Sequence, residues 1–180
     1  MIFNALRVDG HSGGGRAFNG FDTLVRVPHS SSLNLTSGMT LEAWVKPVSN
    51  THHGSVVLKQ HPVGGYAWLL YASDTGAATE TSLQTGAGAF STVDGGALPV
   101  GAWSHLAATY DGATYRLYIN GSMVASVAGL GKIATSTLPL FIGGNDPFGD
   151  FFEGVVDDVR IYNRALSAAQ IAGDMSTPVP

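Results

Sequence analysis

From Met39 to Pro47 the chain alternates. Met39, Leu41, Ala43 and Val45 fall on one side of an extended backbone, and Thr40, Glu42, Trp44 and Lys46 on the other. A period of two is the mark of a half-buried strand. The same rhythm sets Tyr115, Leu117 and Ile119 against Arg116, Tyr118 and Asn120. Asp111-Gly112 joins the apolar run His105–Tyr110 to Tyr115–Ile119, and Asn120-Gly121 joins that run to Met123–Val127. Both dipeptides accept positive φ at the two turn centres and favour the twisted I′ hairpin. Residues 103–125 therefore read as an antiparallel three-strand meander around which the chain is organised.

Further strands are expected at Leu24–Val27, Ser55–Gln60, Tyr66–Tyr71, Thr79–Gln84, Ala89–Val93, Pro139–Ile142 and Phe152–Asn163, with an edge strand between Asn4 and Val8. Pro62 to Gly65 forms the turn between two of them. Ser167-Ala-Ala-Gln170 has capping-box spacing and predicts one short helix, Ala168 to Met175. Short strands with turn signals every ~8–12 residues predict an all-β, two-sheet antiparallel sandwich.

Composition narrows the function classes. A chain of 180 residues is long enough for one domain with a full core. The domain is read as residues 1–175, with Ser176 to Pro180 as the start of a Pro/Thr linker. A net charge of −4 lacks the electrostatic footprint of a nucleic-acid binder. No apolar run approaches the ~20 residues of a membrane span. With no cysteine, disulfide and thiolate chemistry are excluded. The opening residues lack a basic, then apolar, leader, so no signal peptide is visible, and the linker-like ending reads as that of a module from a longer protein.

Several blocks carry a family resemblance. They are Phe18-Asn-Gly20, Val25 to Pro28, Ser32 to Leu35, Thr40 to Pro47, Trp103 to Gly112, Leu117 to Gly121 and, most specific, Gly154 to Ser167. Together, from about Gly13 to Ile171, they resemble the laminin-G-like, concanavalin-A-like jelly-roll domains of bacterial secreted proteins. The resemblance implies an antiparallel jelly roll outside the cell, often holding calcium. Such domains usually serve carbohydrate binding or adhesion as a monomeric module fused to other domains. The family's Phe-Asp-Gly is Phe18-Asn-Gly20 here, and only residues 1–9 stand where members carry an extra N-terminal strand.

Alternation along Val155–Tyr162 puts Asp157 in a row with Val155, Val159 and Ile161, and Asp158 with Arg160. An ionised carboxylate in an apolar row needs a partner. A structural Ca²⁺, which takes 6–8 oxygen ligands, would supply one. In the related fold a calcium sits between the last strand and the first loops, which implies Asp157, Asn19 and Asp22 as ligands. The alternative holds Asp157 on backbone amides and leaves Asp22 solvated. For a glycan, the candidate platform is Trp68, read as exposed, with Tyr66 on the same strand face, Tyr118 on the mixed face of its strand, and Asn145, Asp146 and Phe148 in a loop. Glu42, Glu80 and Glu153 are isolated in sequence, which argues against a glycosidase pair. His52, His53 and His61 offer a weak transition-metal alternative. The expectation is a non-catalytic module that binds a polysaccharide. The alternatives are an adhesion or protein-interaction module, or a glycan-cleaving enzyme.

Overall fold

The computed structural model describes residues 1–63, 65–128 and 131–179. Gly64 of the predicted turn and Pro180 of the predicted linker lie outside them. Sixteen strands follow in order: β1 (Ile2–Phe3), β2 (Leu6–Asp9), β3 (Gly14–Asn19), β4 (Leu24–Val27), β5 (Met39–Pro47), β6 (Gly54–His61), β7 (Gly65–Ser73), β8 (Ala78–Gln84), β9 (Phe90–Ala97), β10 (Ser104–Tyr110), β11 (Thr114–Ile119), β12 (Ser122–Ala128), β13 (Leu140–Ile142), β14 (Gly144–Asn145), β15 (Asp150–Phe151) and β16 (Glu153–Tyr162). Helix α1 (Ala168–Met175) closes the chain.

The strands form two seven-stranded antiparallel sheets and one small hairpin. Sheet I has the spatial order β1-β4-β13-β6-β7-β8-β9. Sheet II runs β12-β11-β10-β5-β16-β3-β2, and β14 pairs with β15. The core lies between the sheets. The alternation of β5 holds: Met39, Leu41, Ala43 and Val45 are all buried there. Leu106, Tyr115 and Leu117 of sheet II meet Val57, Trp68, Leu70 and Leu83 of sheet I. Burying each such large apolar side chain contributes roughly 1.5–3 kcal/mol. A polar contact crosses this core: the Tyr115 and Thr81 hydroxyls hydrogen-bond to each other.

The meander forms as the turn residues demand, with one difference. Asn120 and Gly121 both take positive φ, 50° and 76°, as the two-residue hairpin requires. At the other turn only Gly112 does, and the connection is three residues long, Asp111 to Ala113. The Asp111 carboxylate accepts from the amides of Ala113 and Thr114 and holds Asp111 out of the I′ pattern. Helix α1 begins at the predicted capping box, with Ser167 Oγ accepting from Gln170 N and Gln170 Oε1 accepting from Ser167 N. The helix lies on the outer face of sheet II, where Ile171 and Leu166 bury Ala107 and Tyr118.

Two of the register shifts in the sheets bear on the candidate site residues. In β7, Lys59 faces Trp68 while the next residue, Gln60, faces Tyr66, so Ala67 is an extra residue. Ala67 and Trp68 then both point into the core, and Tyr66 turns to the outer face. In β16 the register shifts between Asp157 and Arg160, with Asp158 at φ 48°. Before the bulge Val156 faces the core; after it Val159 and Ile161 do. Asp157 therefore pairs with Trp44 on the outer face and does not share the apolar row.

Candidate functional site

The outer face of sheet I is built by β6 to β9. On β8, Thr79, Thr81 and Leu83 turn inward, so Glu80, Ser82 and Gln84 line the outer face. Their cross-strand partners on β9 are Asp94, Thr92 and Phe90. On β7 the outward residues are Tyr66, Leu69 and Tyr71. The hairpin of β14 and β15 folds over one end of this face. The result is a groove of about 340 Å³ lined by His53, Tyr66, Leu69, Tyr71, Glu80, Phe90, Phe148 and Asp150.

Hydrogen bonds fix its floor. Tyr71 OH donates to Asp150 Oδ2 at 2.7 Å, and His53 Nδ1–H donates to Asp150 Oδ1 at 3.3 Å. Asn145 is fully buried; its Nδ2 donates to Tyr71 OH at 3.2 Å and its Oδ1 accepts from Phe148 N at 3.0 Å. Burial and the Asp150 carboxylate push the Tyr71 phenol above its usual range, so it stays a donor. Burial, then Asp94, pushes the Glu80 carboxyl up, so it holds its proton more readily than a free carboxylic acid. The walls are aromatic. Tyr66 OH donates to Ser82 Oγ at 3.0 Å, which fixes its ring edge-on to Phe90 at 5.3 Å between centroids. Phe90 and Phe148 are 47% and 43% exposed, so both rings offer surface to solvent.

Of the expected platform, Tyr66 and Phe148 come together here and Asn145 supports them from below. Asp146 is exposed in the hairpin turn and does not line the groove. Two expectations are corrected. Trp68 is 0% exposed and packs between the sheets, because the Ala67 bulge separates its side from that of Tyr66. Tyr118 is 6% exposed under α1, because the helix covers the mixed face of its strand. The sequence reading missed His53, Tyr71, Glu80 and Phe90 as groove residues. The cue was available for Glu80 and Phe90: they alternate with inward residues on either side of the Gly86–Gly88 turn.

Over residues 18–172 the chain matches the family model described as the concanavalin A-like lectin/glucanases superfamily, of laminin G type. The chain belongs to this superfamily. Mouse pappalysin-1 is 33% identical over 81 residues, which cover 43% of this chain and 5% of that protein. The matched stretch is thus a small part of that relative. Among solved structures, domain 4 of AbnA, a GH43 extracellular arabinanase from Geobacillus stearothermophilus in complex with arabinotriose, superposes with a TM-score of 0.79 at 24% identity. The match covers 96% of this chain and 81% of that one. Domains LG4-5 of the mouse laminin α1 chain give 0.68 at 15% identity, covering 91% and 44%.

The calcium ligands implied by the superfamily resemblance do not converge. Asn19 faces Glu153, and Asp157 lies four residues further along β16, about 13 Å away. Asn19 Oδ1 already accepts from the amides of Phe21, Asp22 and Thr23 and from the Thr23 hydroxyl. Asp22 Oδ1 accepts from Asn19 Nδ2 at 2.8 Å. Asp157 accepts from Ser12 N at 3.0 Å and from Asp158 N at 2.9 Å, the backbone-amide alternative. A Cβ at Gly10 would sit 2.3 Å from Asp157 Oδ2, so the loop closes on that carboxylate too tightly to admit a side chain. The three residues do not fit a common cation. Nor do the histidines gather: His52 donates to Phe151 O, His53 binds Asp150, and His61 lies at the far end of β6. Among the described residues no three His, Asp or Glu side chains form a metal cage. No helix among them is long and apolar enough to cross a membrane.

Proposed function

We propose that the domain is a non-catalytic carbohydrate-binding module of a larger secreted bacterial protein, and that the groove on the outer face of sheet I takes the glycan. The observation that carries this reading is the pairing of solvent-facing Phe90, Phe148 and Tyr66 with a hydrogen-bonded floor of Tyr71, Asp150 and His53, beside which lies the Glu80 carboxyl. Aromatic faces pack on the apolar C–H face of a sugar ring, while oriented polar groups bond its hydroxyls. The arabinotriose-bound relative of the same fold supports the ligand class. Glu80, Asp94 and Asp150 lie in or beside the groove, and His53 is the one basic residue among those lining it. A neutral glycan fits this charge; a uronate or sulfated one would meet repulsion.

Affinity electrophoresis in gels containing neutral arabinan, xylan or glucan tests the proposal, with pectate as the contrasting acidic polymer. Retardation in a neutral gel, lost in Phe148→Ala, is expected. Migration unaffected by every polysaccharide overturns it. A second reading, glycan cleavage, draws on the cross-strand pair Glu80 and Asp94. Asp94 is exposed at the sheet edge, and both Asp150 oxygens are engaged by His53 and Tyr71, which disfavours a water-activating base. Reducing ends released from a polysaccharide by the wild type, and not by Glu80→Gln, would favour that reading.

A further inference from the structure

Beyond Phe90 the same outer face runs on into a second cavity. Gln84 is the next outward residue of β8 after Glu80 and Ser82, and it pairs with Phe90. From Glu80 to Gln84 the face extends about 13 Å along one strand. There it opens into a depression of about 440 Å³ lined by His61, Val63, Gln84, Thr85, the Gly86–Gly88 turn and Ala134. Phe90, the partner of Gln84, lines the groove together with Gly65 and Tyr66, and so joins the two linings across β8 and β9.

This cavity contains polar atoms that the fold does not use. Gln84 and Thr85 are 8% and 2% exposed, yet Gln84 Oε1 and Thr85 Oγ1 have no hydrogen-bond partner, nor does His61 Nδ1. Three such groups around one cavity are costly to leave unmade. Their backbone is held: Thr85 N donates to Ala89 O, Gly88 N to Thr85 O, and Ala134 N to Gln84 O, each at 2.8 Å. The lining is uncharged at Gln84 and Thr85, and each supplies both a donor and an acceptor. The terminal torsion of a glutamine is broad and a threonine hydroxyl rotates, so both can turn to an incoming hydroxyl. Val63, exposed on the rim, adds apolar surface.

We propose that this cavity is a second subsite, so that the domain binds an extended run of a neutral polysaccharide lying along β8 and β9, with one sugar unit on Tyr66 and Phe148 and a later unit on Gln84 and Thr85. The proposal rests on the groove being the glycan site. It predicts that affinity grows with chain length past the unit that fills the groove.

Calorimetric titration with length ladders, from disaccharide to hexasaccharide, of arabinose, xylose and glucose oligomers tests it. For the ladder that binds, the hexasaccharide should bind about tenfold tighter than the disaccharide, the worth of one or two net hydrogen bonds. The double variant Gln84→Leu, Thr85→Val should lose that gain and keep the disaccharide affinity. Ala87→Trp, on the exposed turn, should lose it by filling the cavity without touching the buried residues. Equal affinity for all lengths, a length gain surviving in both variants, or loss of disaccharide binding in both overturns the second subsite while the groove reading stands. Binding of no ladder overturns both together.

Discussion

The two outer faces of the sandwich use the same kinds of residue to opposite ends. On sheet I, Tyr66, Phe90, His53 and Glu80 border an open groove. On sheet II, Tyr118, Trp44, His105 and Glu42 are also outward-facing, yet all are buried. His11 stacks on Trp44 at 3.6 Å, and α1 covers Tyr118 and brings Asp174 beside Glu42. Glu42 is 0% exposed, and neither of its carboxyl oxygens has a hydrogen-bond partner. An aromatic, histidine and carboxylate set is therefore no sign of a binding face by itself. What distinguishes the faces is cover: on sheet II the eight-residue helix lies over Tyr118, and His11 of the β2–β3 loop lies over Trp44.

The largest effect should come from uncovering sheet II. Ile171→Ala should cost about 3 kcal/mol of stability, read as a fall of about 10 °C in Tm, with the affinity of the still-folded protein for its glycan unchanged. A loss of affinity at temperatures where the variant is folded would mean the two faces are coupled.

Next comes pH. Burial, reinforced by Asp174, raises the Glu42 carboxyl from 4.5 to about 8. Its contribution to stability is full below pH 4.5 and is lost as pH rises through 8. Burial, reinforced by Arg160, lowers His105 from 6.5 to about 4. Its contribution is present above pH 6.5 and is lost as pH falls through 4. The two oppose each other between pH 4.5 and 6.5. From pH 6.5 to 8 Glu42 alone of the pair acts, and Tm should fall. Glu42→Gln should flatten that limb in a calorimetric pH series; an unchanged slope would place the titrating group elsewhere.

On the open face, Phe148→Ala should weaken glycan binding about tenfold with little change in Tm, because the ring is only half covered. The smallest effect is expected from chelation. A bound cation at a hundredfold excess over its Kd would add ~2.7 kcal/mol. With Asp157, Asn19 and Asp22 apart and already hydrogen-bonded, EDTA should leave Tm and glycan binding unchanged. A marked drop in Tm would show that a cation site forms with ligands other than this trio.

The fold was legible because its signals are local. Alternation in β5 and β11, the Asn120-Gly121 turn and the Ser167–Gln170 capping box each act within a few residues, and each appears where expected. Arg160, which the alternation sets beside Asp158, lies 3.9 Å from its carboxylate. The site was less legible for a physical reason. Trp68 was misplaced because β7 is apolar on both faces, so nothing in its composition marks the extra residue at Ala67. Asp157 was misplaced by the β16 bulge in the same way. His53 and Asp150, nearly a hundred residues apart, meet only through the β14–β15 hairpin, and no local pattern encodes that contact.

The extra residue at Ala67 makes the groove-facing surface of β7 a matter of counting as much as of chemistry. Loss of that one codon would straighten the strand and leave Tyr66 outward and Trp68 inward, whereas one further residue between them, absorbed into regular alternation with the bulge kept, would swing Tyr66 to the side that Trp68 occupies and empty the groove wall while leaving every aromatic residue in the gene. In a sandwich of this kind, a single-residue insertion or deletion in a central strand remakes a surface that would otherwise take a set of substitutions.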